Sequence, residues 1–179
     1  MVVRDLQWND FRPLVDAYWA LYDEVRDDPD LGISLFPKRP TLGEEAEWFA
    51  QMFRQVQEGR AVAAVAEEGG IAVGMCGIRP KAPTVEAAHI GVLGISIAKP
   101  WRGKRIGRAL MVYALERARG RFEIVELCAF ATNARAIHLY ESLGFRRWGT
   151  QPKAGKRDGR YIDDVFMQLE LDPGAQPPP

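Results

Sequence analysis

With 179 residues, 47% of them hydrophobic and 27% charged, the chain has the balance of an ordinary soluble globular protein and the length for one domain with a sizeable core. Lys plus Arg and Asp plus Glu both total 24, so overall charge gives no case for nucleic acid or a membrane as partner. No stretch approaches the roughly 18 apolar residues of a membrane span, and the N-terminus MVVRDLQWND lacks the apolar run of an export signal.

In chain order, residues 2–6 read as a short strand and 10–25 as a helix, with Phe11, Leu14, Val15, Tyr18 and Leu21 near helical spacing and Asn9 or Asp10 as its cap. Residues 27–41 are rich in Pro and Gly yet carry Leu31, Ile33, Leu35 and Phe36, more large apolar side chains than an exposed loop needs, so this loop is expected to fold over something. Thr41 and Glu44 have capping-box spacing for a helix running to Glu58 and stopped by Gly59. Strand-like runs at 61–67 and 71–78 flank EEGG, a hairpin signal. A longer strand is expected over 85–98, with Gly91 and Gly94 marking a bulge or a close backbone approach. Then follow a helix over 102–119, a strand over 124–130, a helix over 133–142, a strand from Gly144 to Trp148, and a last run rich in β-formers over 161–171. The order implies an α/β fold in which helices flank a mixed sheet. Residues 1–172 form the expected domain and 173–179 a disordered Pro-rich tail.

The junction ISIAKPWRGKRIGRAL, residues 95–110, has the chemistry of a phosphate site. A β-branched strand breaks at Pro100 and re-enters as a helix start, where unpartnered amides and the helix dipole favour an anion. Arg102, Lys104, Arg105 and Arg108 add positive charge, and Gly103 and Gly107 are placed where a ligand or another backbone can come close. Further on, Asn133 stands where a strand gives way to a helix, and Tyr140 lies two turns along on nearly the same face, so an amide and a phenol can address one ligand. The plain alternative is that Asn133 caps the helix, Tyr140 is core and Gly144 is the stop.

Together the two stretches resemble the GNAT superfamily of N-acetyltransferases, in its bacterial and archaeal branch of small-molecule and amino-acid enzymes. The superfamily's pyrophosphate motif [RQ]-x-x-G-x-[GA] is met at Arg102 and Gly107, with Arg105 where the first glycine usually stands. The later motif N-x-x-A-x-x-x-Y-x-x-x-G-F is met at Asn133, Ala136, Tyr140, Gly144 and Phe145. The resemblance implies a central, mostly antiparallel sheet in which two parallel strands splay apart to admit acetyl-CoA. It implies backbone contacts to the pantetheine arm around Ile95, Ser96 and Ile97. The pyrophosphate falls to amides of Arg102, Gly103, Lys104, Arg105, Ile106, Gly107 and Arg108, with Asn133, Ala136 and Tyr140 on the other side. Arg105 is expected to swing its side chain toward a phosphate.

The implied activity is acetyl transfer from acetyl-CoA to a primary amine (an amino acid, a small amine or a peptide N-terminus) by direct attack in a ternary complex. Tyr140 is the expected general acid. A base is sought among Glu126, His89 and Glu86, with relay through water left open, and the oxyanion donor is expected on a bulged strand near Ile95. Cys128 lies in an apolar strand, which disfavours an acetyl-cysteine route, and His138 reads as a surface residue. Asp23, Glu24, Asp27, Asp28 and Asp30 are expected to make an acidic rim over the strand opening, with Leu31, Leu35, Phe36 and Trp19 selecting an apolar side chain.

Cys76 and Cys128, each in an apolar run, fit buried thiols in a reducing cytoplasm, although one disulfide stays open. No metal-ligand spacing is present. Neither nucleic acid nor membrane is expected as a partner, and a homodimer is left open. The competing readings are a CoA-binding regulatory domain without catalysis and, less favoured, a nucleic-acid module on the basic helix. A P-loop or dinucleotide fingerprint is absent.

Overall fold

The computed structural model describes residues 1–28 and 31–171. Asp30, the domain end expected at 172 and the tail expected at 173–179 lie outside the described residues. The elements run β1 (Val2–Asp5), α1 (Phe11–Asp27), α2 (Leu42–Gln57), β2 (Val62–Glu68), β3 (Ile71–Pro80), β4 (Ile90–Ile97), α3 (Ile106–Ala118), β5 (Ile124–Phe130), α4 (Ala134–Ser142), β6 (Arg146–Arg157) and β7 (Arg160–Glu170). They build one seven-stranded sheet in the order β1-β2-β3-β4-β5-β7-β6, in which only β4 and β5 pair in parallel.

Alternation along the strands divides the core in two. One face carries Ala64, Cys76, Ile78, Leu93, Val125 and Leu127, closed by Leu110 and Met111 of α3 and Ile137 and Tyr140 of α4. The other carries Ala63, Val65 and Ala72, closed by Leu14 of α1 and by Phe49 and Met52 of α2. The α2 start is the expected capping box: Thr41 Oγ1 accepts from the Glu44 amide and the Glu44 carboxylate accepts from the Thr41 amide at 2.7 Å. Asp10 precedes α1 but does not cap it with its side chain. It is buried, accepting two bonds from the Arg4 guanidinium and one from the Gln7 amide, which ties β1 to the start of α1.

Two boundaries and one strand irregularity differ from the expectation. β4 begins at Ile90, because residues 82–89 form turns with Val85 89% exposed; the β-branched residues there have no sheet to join. β4 also carries no bulge against β3, the register running unbroken from Gly74↔Ile97 to Pro80↔Gly91. Gly91 is instead a close approach, since a Cβ there would lie 2.6 Å from Ile78 and 3.0 Å from Phe122. Finally, β6 runs on past Trp148 to Arg157, its polar sequence and Pro152 tolerated because it is the sheet edge.

Candidate active site

The site begins where two strands part. β4 and β5 pair only at Ile90↔Ile124, Gly91↔Val125 and Val92↔Glu126, whereas β4 continues to Ile97 and β5 to Phe130. Backbone phase shows which groups face the gap. The Ala98 amide donates to Val73 O and Ile90 O accepts from Lys81, so even-numbered residues of β4 bond toward β3; His89 O accepts from the Glu123 and Ile124 amides, so odd-numbered ones point toward β5. Beyond Val92, the backbone groups of Leu93, Ile95 and Ile97 therefore point into a gap with no strand opposite. A cavity of about 1700 Å³ opens there, lined from one sheet face by Ile106, Gly107 and Tyr140 and from the other by Tyr18, Glu45 and Met52. It thus passes through the sheet. Gly94 borders it, and a Cβ there would meet nothing within 4 Å.

The gap leads to the start of α3. That helix begins at Ile106, four residues later than expected, because Gly103 (φ +82°) and Arg105 (φ +63°) are both in the left-handed region and hold residues 102–105 in a turn. Arg105 therefore occupies a conformation that glycine adopts freely and that costs other residues about 1 kcal/mol. The amides of Ile106 and Gly107 head the helix, where the chain supplies no intrahelical acceptor, and Ile106, Gly107 and Arg108 all line the cavity. Gly107 is held by space: a Cβ would lie 3.1 Å from Leu139 Cδ2 and 3.3 Å from Ile97 Cδ1, so α3 can approach α4 and β4 only without a side chain.

The four cations expected around this turn are not equivalent. Arg102 is committed elsewhere, its Nη1 2.6 Å from Glu24 Oε2 and its Nε donating to Ile97 O at 2.8 Å, so it braces α1 against the end of β4. Lys104 lies 4.4 Å over the Trp101 ring, outside the cavity lining. Arg105 and Arg108 do line it, Arg108 also donating to Ser142 Oγ at 3.1 Å. A cation not singled out in the sequence joins them: Arg135, on the first turn of α4, lines the cavity with Nη2 only 3.1 Å from where a Gly103 Cβ would stand.

On α4, Asn133 caps the helix, its Oδ1 accepting from the Ala136 amide at 3.2 Å, while its Nδ2 donates to Gly32 O at 3.1 Å. A Cβ on Gly32 would lie 2.4 Å from Asn133 Cβ, so the loop rests directly on this cap. Each end of the amide makes one bond within the protein, and Asn133 lines the cavity with an N–H of Nδ2 left over for a ligand. Ala136 borders the cavity beside it. Tyr140 lies two turns on, 8% exposed, with its hydroxyl pushed up to about 12 by burial and, secondarily, by Cys76. It stays protonated at neutral pH and is a donor.

Neither Glu126 nor His89 reaches the cavity. Glu126 shares a strand face with Cys128 but is held by Lys81 Nζ at 2.8 Å, and His89 sits before β4 at the paired end of the parallel strands, away from the gap. Glu86 is exposed in the turn before His89. The acidic rim is corrected among the described residues: Glu24 is taken by Arg102, Asp23 and Asp27 pair with Arg26, and neither these nor Asp28 line the opening. Leu31 and Phe36 do line it, but Leu35 and Trp19 do not, Trp19 lying under the guanidinium of Arg39 at 4.9 Å. His138 is exposed at the cavity border.

Both thiols are free. Cys76 is buried as expected. Cys128 is exposed and lines the cavity, because its side of β5 faces the space that α1 and α2 leave open, and burial together with the Asp164 carboxylate pushes its thiol up to about 12. Among the described residues no group of His, Cys, Asp and Glu is disposed to hold a metal, and no helix is long and apolar enough to cross a membrane.

The loop over residues 31–37 is fastened by Arg157, whose guanidinium donates to Leu31 O at 2.9 Å and Ile33 O at 2.6 Å, besides the bond from Asn133. Like Arg135 and Glu45, Arg157 escaped the sequence reading, since each meets the site across more than twenty residues of chain or from a helix with no motif.

Residues 8–145 match the Acetyltransferase (GNAT) family. An L-methionine sulfoximine/L-methionine sulfone acetyltransferase of Pseudomonas aeruginosa is 41% identical over 78 residues, 43% of this chain and 45% of that protein. The L-amino acid N-acyltransferase MnaT of Escherichia coli is 29% identical over 114 residues, 63% of this chain and 66% of that protein. The matches thus span about half to two thirds of these relatives. A phosphinothricin acetyltransferase from Sinorhizobium meliloti, solved in complex with AcCoA, has the same fold, with a TM-score of 0.81 at 24% identity over 99% of this chain and 92% of that one.

Proposed function

The chain belongs to the acetyltransferase (GNAT) family, and from that premise we propose that it transfers the acetyl group of acetyl-CoA to the primary amine of a free amino acid, in the cytoplasm and by direct attack. One observation carries the reading: the edge of β4 at Leu93 and Ile95, with no strand opposite, leads along one cavity to the first amides of α3, at Ile106 and Gly107. An amide-bearing pantetheine arm is matched by a strand edge, and a pyrophosphate by a helix start with Arg105, Arg108 and Arg135 around it. Bound there, acetyl-CoA supplies an activated thioester.

Tyr140 supports the same reading. Its hydroxyl, protonated at neutral pH, is suited to give a proton to the departing sulfur, and a backbone amide of the gap, Leu93 or Ile95, is suited to hold the developing oxyanion. A thiol held at about 12 makes Cys128 a poor nucleophile, which favours direct transfer over an acetyl-cysteine.

The acceptor enters from the α1 and α2 side. Tyr18, Trp48, Met52 and Met75 supply an apolar wall, and Arg39 and Arg79 bring cations suited to a carboxylate. The relatives' named substrates, amino acids and methionine derivatives, agree with such a chamber. The test is calorimetric titration with acetyl-CoA, followed by thiol release with methionine, methionine sulfoximine, phenylalanine and their amides. Micromolar binding with turnover of the free acids above the amides is expected. Binding without thiol release by any amine would point instead to a CoA-binding regulatory domain.

A further inference from the structure

We propose that Glu45 is the catalytic base of this protein: from the α1 and α2 side of the gap it receives the acceptor's ammonium group and takes its proton, opposite Tyr140 on the other side. The inference rests on the acetyltransferase reading and assigns the step that reading leaves without a residue.

Three observations single Glu45 out. First, it is 6% exposed, lines the cavity, and its Oε1 is buried without a hydrogen-bond partner. A buried carboxylate oxygen left unpaired is costly and is kept where something else pairs with it. Second, among the described residues it is the one carboxylate of the lining left for the task. Glu44, its neighbour, is bound to the Thr41 amide and hydroxyl in the capping box, and every other lining residue is neutral or basic. Third, its place along the gap fits. Phe11 of α1 meets Phe49 of α2 at 5.3 Å and Tyr18 senses Glu45, so the helices run antiparallel, and the end of α1 reaches the end of β4 through Glu24 and Arg102. A Gly77 Cβ would lie 3.4 Å from Met52 Cε, and Gly77 pairs with Gly94; Glu45 is two turns from Met52, about 10 Å along the helix, toward the parted end of the strands.

Among the described residues, the charged and titratable groups that share its side of the chamber are Tyr18 of α1, Glu44 of α2, Arg79 of β3, Cys128 of β5, and Lys38 and Arg39 of the loop. Burial, and then the Glu44 charge, raise the Glu45 carboxyl above its ordinary value, toward the range in which a base can accept a proton from an ammonium and release it again. The protons balance. The acceptor's N–H bond breaks and an O–H bond forms on Glu45; the freed nitrogen pair forms the C–N bond as the C–S bond breaks. Tyr140 gives its proton to the sulfur and recovers one from the nitrogen through solvent, and Glu45 returns its own to bulk water, so one proton is released per acetyl group transferred.

The test compares Glu45→Gln and Glu45→Asp with the wild type. Glu45→Gln is expected to lose about a hundredfold or more in kcat/KM at pH 7 and to lose the acidic limb of the pH profile. Acetyl-CoA affinity should change less than twofold, because the donor lies along β4 and α3. Glu45→Asp should restore part of the rate. The second readout is stability. A carboxyl raised on folding is penalised when ionised, so the penalty is absent at low pH and grows as pH rises through the folded value; Glu45→Gln should therefore raise Tm at pH 7 and leave it unchanged at pH 4. Wild-type rate and pH profile in Glu45→Gln would overturn the assignment while acetyl transfer stands. Absence of acetyl transfer from the wild type to any amine would overturn both.

Discussion

The two walls of the cavity are built on different principles. The wall along β4 and the start of α3 presents backbone: strand-edge groups at Leu93, Ile95 and Ile97 and helix amides at Ile106 to Arg108, brought close by Gly107. The wall under α1, α2 and the loop over 31–37 presents side chains, with Glu45, Tyr18, Trp48 and Met52 gathered from two helices and Leu31 and Phe36 from the loop. A backbone wall suits a ligand that never varies and tolerates exchange of its surface side chains. A side-chain wall can be retuned one residue at a time, so acceptor preference and proton transfer reside there.

Substitutions can break or sharpen this contrast. The largest effect is expected at the reacting centre, where Tyr140→Phe removes the donor hydroxyl but keeps the buried ring: kcat should fall about a hundredfold or more with acetyl-CoA affinity unchanged, read by steady-state kinetics beside calorimetry. Next is Gly107→Val, which places methyl groups against Leu139 and Ile97 and displaces the helix amides. It should lower stability by about 1–3 kcal/mol and weaken acetyl-CoA binding more than it lowers kcat. A smaller effect is expected for Arg105→Gly: it relieves about 1 kcal/mol of left-handed strain while removing one exposed cation, so acetyl-CoA affinity should move only a few-fold. A tenfold loss would show that charge rather than backbone holds the phosphates. Smallest is Cys128→Ser, expected to leave kcat within twofold, with alkylation of Cys128 at pH 8 about a thousandfold slower than that of a thiol near 9.

The same contrast explains what could be read from the sequence. The element order, the mixed sheet and the two motifs were legible because they rest on local signals: hydrophobic periodicity, Gly144 as a stop, Thr41 and Glu44 as a cap. The start of α3 was misplaced because Arg105 hides a left-handed residue that glycine would have announced. Val85 read as strand because β-branching signals strand-forming tendency and says nothing about whether a neighbour is there to pair. The second task of Asn133, holding the loop 101 residues earlier in the chain through Gly32 O, had no local signal. Glu45 left no mark, since a carboxylate four positions after an N-cap reads as a solvated first turn. Its burial is decided by α1 and the sheet, elements remote from it in sequence.

The short seam between β4 and β5 has a mechanical consequence. Three residue pairs join β1-β2-β3-β4 to β5-β7-β6, so the sheet is two cooperative blocks with α3 and α4 laid across the joint. Whatever occupies the gap acts as a missing rung, coupling the blocks into one opening unit. Amide exchange at Leu93, Ile95 and Ile97 should therefore slow in the presence of acetyl-CoA toward the rate set by global unfolding, while exchange in the β2-β3 ladder, already inside one block, changes little.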